Sequence, residues 1–275
     1  MIMRDILVHL KSHEEWSPHI DYAIGVAAGF GARLRGYMTF ADISFLRSIS
    51  GTDETAVARQ KRRDQKIAAA MQDRLLAAAS AQDVACEFVT GEGPASELVT
   101  RAARLHDLTI IEQHDPGRDE FGFDPAEEAA LSAGRPIVLV PKTGRFQPAP
   151  RHILVAWNGS AQAATALQFA LPFIERAEKI TLCVGKSRET PRRSSREPDL
   201  SIAGYLQDRV GQVETVPVDV NGDHVGAFLL EQANEAGAEM IVMGAYGRSR
   251  FSEVILGGAT RHIIQKMTLP ILMGR

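Results

Sequence analysis

Short apolar runs separated by longer mixed stretches organise this chain. Ile6-Leu7-Val8-His9-Leu10 opens one series, and Ile153-Leu154-Val155-Ala156-Trp157 opens a second. Runs of this length, followed by helical patterns, are what strands buried on both faces of a parallel sheet require. Helical spacing of apolar residues covers about residues 18–30, 54–81, 95–105 and 125–133 in the first series. In the second it covers about 160–176, 199–210, 224–236 and 259–267. Further strands are predicted near 34–40, 84–90, 180–184 and 213–218.

The two series match each other late in each half as well. Asp107–Ile111 corresponds to Glu239–Met243, and Arg135–Val140 to Leu269–Met273. Each half therefore reads as strands and helices in strict alternation, which predicts an α/β fold of two tandem, doubly wound, mostly parallel five-stranded sheets. The expected domains are residues 1–145 and 150–275. The segment from Pro141 to Pro150, with Pro148 and Gly144 inside it, suits a short extended connection.

The densest chemistry lies near the end of the chain. The apolar run Met240–Met243 leads into Gly244-Ala245-Tyr246-Gly247, nine further residues, and then Gly257-Gly258-Ala259-Thr260. An apolar run, glycines and a helix start are how α/β folds bring bare backbone N–H groups to a phosphate. Arg248 and Arg250 supply charge in the same stretch, and Thr260 falls in the first helical turn, where unpaired backbone donors collect. The competing reading is a glycine-rich turn with no ligand. The first strand of this half ends in Asn158-Gly159-Ser160, which suits either ligand recognition or an ordinary turn and helix cap.

This spacing resembles the universal stress protein family, whose nucleotide-binding members carry Gly-x2-Gly-x9-Gly-Ser/Thr before the last strand. Gly258 stands where the family has Ser or Thr, and Asn158 stands where it usually has Asp. The resemblance implies ATP as ligand, with AMP or ADP as alternatives and Mg as an accompanying ion. It implies a site built from Asn158, Val184, Gly244, Gly247, Arg248, Gly257, Gly258, Ala259 and Thr260. The backbone at Val184 would lie along the adenine, and Gly185 would let a flat ring come close. Family dimers pair through the last strand of each domain, which implies an intramolecular pseudo-dimer through Ile137–Val140 and Ile271–Met273. A further homodimer stays open. The family's association with stress survival implies a regulatory protein with slow ATP hydrolysis at most. A nucleotide-free interaction module is the alternative. If backbone approach to the anion is the reason for the glycines, valine at Gly244 or Gly257 should abolish affinity and leave circular dichroism near native.

Composition narrows these readings. The net charge is −3 and 45% of the 275 residues are hydrophobic, which fits a packed core and gives no general reason for nucleic-acid or membrane binding. No apolar stretch approaches the roughly 20 residues of a membrane span. The first residues read as a strand rather than a signal peptide, and Cys86 and Cys183 read as buried reduced thiols. A cytoplasmic protein is expected. The first half is expected to have lost the nucleotide site. Glu112 replaces the first glycine, Asp115, Asp119, Glu120 and Asp124 follow, and Lys11-Ser12 replaces the acidic turn. Carboxylates beside phosphate repel it. That acidic stretch, with His114, lacks metal-ligand spacing and reads as solvated surface. Arg59–Lys66 reads as a solvated helical face, and Arg188–Arg196 as a surface loop or a lid. His9, His13 and His19 have no nucleophile or carboxylate at characteristic spacing, and no residue stands out as a general base.

Overall fold

The computed structural model describes residues 2–12, 16–42, 54–113, 125–185, 201–218, 224–245 and 258–275. The first half runs β1 (Asp5–Lys11), α1 (Pro18–Phe30), β2 (Arg33–Phe40), α2 (Glu54–Ser80), β3 (Cys86–Glu92), α3 (Ala95–Ala103), β4 (Leu108–Glu112), α4 (Pro125–Ser132) and β5 (Ile137–Val140). The second runs β6 (His152–Trp157), α5 (Ala161–Ile174), β7 (Lys179–Gly185), α6 (Ile202–Gln207), β8 (Gln212–Val218), α7 (Val225–Ala236), β9 (Met240–Gly244), α8 (Gly258–Lys266) and β10 (Ile271–Gly274). These elements follow the expected alternation closely. The helix expected over 199–210 is shorter than that and starts after Ser201, which caps it: its hydroxyl accepts from the Gly204 N–H at 3.1 Å.

The ten strands form one sheet in the order β3-β2-β1-β4-β5-β10-β9-β6-β7-β8. Within each half the pairs are parallel, and the halves meet at an antiparallel seam with Ile271 opposite Leu139 and Met273 opposite Ile137. The pairing expected of Ile137–Val140 and Ile271–Met273 is therefore present. It joins the two five-stranded sheets edge to edge and removes two apolar edges at once. In both halves the order reverses beside the first strand, between β1 and β4 and between β6 and β9.

The period of two in the seam strands explains the layers. Val138 and Val140 point into a core with α1, α2, α5 and α6, and Ile137 and Leu139 into a second core with α3, α4, α7 and α8. Helices thus cover both faces, as an all-apolar sheet requires. Contacts across the halves flank the seam. Phe30 meets the Phe173 ring edge-on at 5.1 Å, and the Arg176 guanidinium stacks on Phe30 at 3.9 Å while donating to the Gly29 carbonyl. Gln113 donates to the Ile264 carbonyl at 2.9 Å.

Candidate functional site

The reversal of strand order beside β6 creates a crevice at the carboxyl ends of β6 and β9, where ligands of open α/β sheets sit. Val155 pairs with Val242, so both strands end at one level. At the end of β6, Asn158 Oδ1 accepts from the Ser160 N–H at 3.1 Å and from the Ser160 hydroxyl at 2.7 Å. The Ser160 oxygen in turn accepts from the Ala163 N–H and caps α5. Gly159 between them has φ 74°, a left-handed turn that suits glycine. The turn-and-cap reading of this segment is therefore realised. It leaves the Asn158 amide as the group available to a ligand, since its carbonyl is engaged.

Val184 lies near the end of β7, half-buried between Trp157 of β6 and Pro217 of β8. Gly185 follows it, and a Cβ there would make ordinary contact with Asn158 Cβ and the Trp157 carbonyl oxygen, each at 3.8 Å. On the other side, Gly258 begins α8, Ala259 is half-buried and Thr260 is 4% exposed. Gly226 of α7 holds this helix start in place: a Cβ on it would lie 2.7 Å from the Ala259 carbonyl oxygen. Gly247, Arg248 and Gly257, together with Arg250, lie outside the described residues.

Gly244 needs its hydrogen side chain for another reason than the one expected. A Cβ there would stand 2.7 Å from the Ala163 nitrogen, 2.7 Å from the Gln162 carbonyl carbon and 2.9 Å from Gln162 Cβ. The first turn of α5 fills that direction. The glycine lets helix and strand end touch, so the expected native circular dichroism of a valine variant is corrected: the clash is with fixed backbone inside the fold.

The first half has the same reversal of strand order, and a charged side chain stands at the end of β4. Glu112 ends β4 as Gly244 ends β9, and it is 5% exposed. Its carboxylate reaches the start of α1, accepts from the Ser17 hydroxyl and pairs with Lys11 Nζ at 3.4 Å. A carboxylate near a helix start is favoured by the helix dipole, and here Lys11 also balances its charge. The Ser17 hydroxyl also lies 2.9 Å from His19 Nδ1, and His19 Nε2 lies 2.9 Å from the His9 carbonyl. A neutral ring that donates from Nε2 leaves Nδ1 as acceptor, so Ser17 has one proton for two acceptors. Ser160 of the second half caps its helix, whereas Ser17 makes no side-chain cap and donates its hydroxyl to Glu112.

Sequence reasoning missed this cluster. Ser17 and Glu112 are 95 positions apart, and only the adjacency of β1 and β4 brings them together. The missing carboxylate partner for His19 is Glu112, 3.8 Å away. Even so, both ring nitrogens of His19 are taken and Ser17 is 8% exposed, so the group reads as a buried lock rather than a poised nucleophile. His114, Asp115, Asp119, Glu120 and Asp124, and Arg188–Arg196, lie outside the described residues.

Burial drives His9 from the ordinary 6.5 down to about 3, with His19 and Lys11 pushing the same way. His19 is also lowered by burial, against the pull of Glu112. The unfolded chain therefore binds protons near pH 6.5 that the folded chain refuses, so this stability is complete above about pH 6.5 and is lost as pH falls. For His9 alone the loss at pH 5 should be about 2 kcal/mol. Urea titrations at pH 7.5 and 5 on wild type and His9→Gln should show a smaller acid loss in the variant. Equal losses would exclude His9 as the source.

Comparison with known proteins agrees with this architecture. Residues 150–275 match the model of the universal stress protein family. The second half is thus similar to universal stress protein domains. The universal stress protein Slr1230 of Synechocystis sp. is 24% identical over 151 residues, 54% of this chain. The match spans about half of that relative, 50% of its length. A universal stress protein structure from Archaeoglobus fulgidus superposes with TM-score 0.71 at 13% identity, covering 98% of this chain and 96% of that one. A Pseudomonas aeruginosa structure described as a putative universal stress protein gives 0.58 at 13% identity, with 99% and 93% covered. At such identity the likeness shows that the whole chain shares the fold of these proteins. No described helix is long and apolar enough to cross a membrane.

Proposed function

We propose that this chain is a stress-response regulator that binds one adenine nucleotide, ATP, in the crevice between β6 and β9. In this reading residues 1–145 and 150–275 are two domains of one architecture with unequal roles. What supports it is topology: Asn158 follows β6, Val184 and Gly185 end β7, and Gly258–Thr260 start the helix after β9, all on the carboxyl-end side of the sheet where the strand order reverses. Gly247, Arg248 and Gly257 belong to the 246–257 connection between β9 and α8, the stretch that would meet the phosphates and any accompanying Mg. The Glu112–Lys11 pair at the matching reversal of the first half supports one nucleotide per chain.

Titration calorimetry of the full chain with ATP should give a stoichiometry of one and an affinity on the order of micromolar or weaker, about −8 kcal/mol or less in magnitude. Asn158→Asp should tighten binding several-fold. A carboxylate can hold Ser160 with one oxygen and offer the other to a ribose hydroxyl. A stoichiometry of two would defeat the asymmetry. No binding of ATP, ADP or AMP would leave the interaction-module reading in its place, and rapid multiple turnovers would make ATP a substrate rather than a regulatory ligand.

A further inference from the structure

We infer that Gln113 of the first half is a positioning residue for the nucleotide of the second: it fixes α8 at its far end and so sets affinity at its near end, given the adenine-nucleotide crevice proposed above. The first turn of α8, Gly258–Thr260, belongs to that crevice. The last turn is bound by the other half. Gln113 Nε2 donates to the Ile264 carbonyl at 2.9 Å and to the Gln265 carbonyl at 3.2 Å, across 151 and 152 positions of sequence. Both are among the carbonyls that a helix end leaves without an intrahelical partner. A nine-residue helix spans only about 13 Å and is too short to be stable by itself. Its contacts with the rest of the fold therefore decide where it stands.

The Gln113 amide is held out from fixed main chain. Its own backbone N–H donates to the Val140 carbonyl at 2.8 Å, at the end of β5. The residue before it, Glu112, is tied to Lys11 and Ser17. The start of α8 is confined as well. A Cβ on Gly226 of α7 would lie 2.7 Å from the Ala259 carbonyl oxygen and 3.1 Å from His262 Cβ, so these two helices already touch. Between the ends, Ile263 and Ile264 are buried. A short, stiff helix held at both ends and along one side cannot lose one hold without turning about the others. That turn moves Gly258–Thr260 against the end of β6.

The reach is stronger in this direction than in the other. Ala245 follows β9 as Gln113 follows β4, and its N–H donates to the Gly274 carbonyl at 2.9 Å in the same way. Its methyl group offers no donor. From the second half, α4 receives only the Arg275 guanidinium, 3.4 Å from the Leu131 carbonyl, while Arg104 of its own half donates to the Ser132 carbonyl at 3.2 Å. The half that lacks the glycine signature thus grips a helix of the half that has it.

Gln113→Glu keeps the size of the side chain, removes both donors and sets a negative charge against carbonyls at a helix C-terminus. Calorimetry on the full chain should show ATP binding weakened at least about fivefold, the lower end of coupling between distant parts of a protein. Gln113→Lys restores a donor with a favourable charge and should stay within about twofold of wild type. Arg176→Ala is the control. It breaks the cross-half bond to the Gly29 carbonyl on the other face of the sheet and should lower the melting temperature without moving ATP affinity. Amide hydrogen exchange in α8 should be faster in Gln113→Glu and unchanged in Gln113→Lys. If wild type binds ATP, a Gln113→Glu protein within about twofold of it, or an equal loss in Arg176→Ala, overturns the role of Gln113 alone. A wild type that binds no adenine nucleotide overturns the proposed function instead. Exchange then decides whether Gln113 positions α8, and unchanged exchange in Gln113→Glu overturns that too.

Discussion

Replacing Gly244 by alanine should lower the melting temperature by roughly 5–10 °C, the equivalent of about 2–3 kcal/mol of overpacking. The added Cβ meets the Ala163 nitrogen and the Gln162 carbonyl carbon at 2.7 Å, and neither is the movable end of a side chain. To make room, α5 must back away from the end of β9. That shift reaches the Ser160 cap and the buried Ala166 and Ala170 beneath it. Valine at the same position should cost more. Gly29→Ala is the matching control. Nothing lies within 4 Å of its Cβ and it sits inside α1, so alanine should leave stability unchanged or raise it slightly. Thermal unfolding followed by circular dichroism decides this. A Gly244→Ala protein melting within about 1 °C of wild type would mean that helix and strand can part at no cost. Loss of nucleotide affinity in such variants reads as loss of fold unless melting is measured beside it.

Glu112→Ala should destabilise the chain by about 3–5 kcal/mol, the usual result of stranding one member of a buried ion pair. Lys11 is 12% exposed and would keep its charge without the carboxylate at 3.4 Å, and Ser17 would lose an acceptor. Replacing both partners, as in Lys11→Met with Glu112→Leu, should recover much of that loss, since no charge is then left buried. Chemical denaturation of the two single variants and the double variant measures the coupling. Additive losses, or a Glu112→Ala protein within about 0.5 kcal/mol of wild type, would show that the pair is not a lock. If it is one, small carboxylates such as formate should raise the stability of Glu112→Ala and leave wild type unmoved, because the vacated place is an anion's place.

Most of the architecture was legible in the sequence because its signals are local. An apolar run such as Ile6–Leu10 or Met240–Met243 can be satisfied only by a strand covered on both faces. The helical periods between such runs supply the cover. The internal match of Asp107–Ile111 with Glu239–Met243 marked two copies of one plan. The short apolar strands Ile137–Val140 and Ile271–Gly274 could not remain as edges, and their pairing at the seam follows from that. The glycine spacing after β9 pointed to residues 150–275, which match the universal stress protein family.

What a residue touches was decided only by the tertiary structure. Gly244 belongs to a loop signature in sequence, yet its lack of a Cβ is demanded by Gln162 and Ala163, some eighty positions earlier. Asn158 read equally well as a ligand contact or a cap, and its hydrogen bonds to Ser160 assign the cap to its carbonyl and free its amide. Glu112 read as a repulsive charge, whereas the adjacency of β1 and β4 makes it the internal partner of Lys11 and Ser17. Periodicity carries burial because burial repeats along a chain. Contact partners follow from strand order, which places distant residues side by side and leaves no local trace.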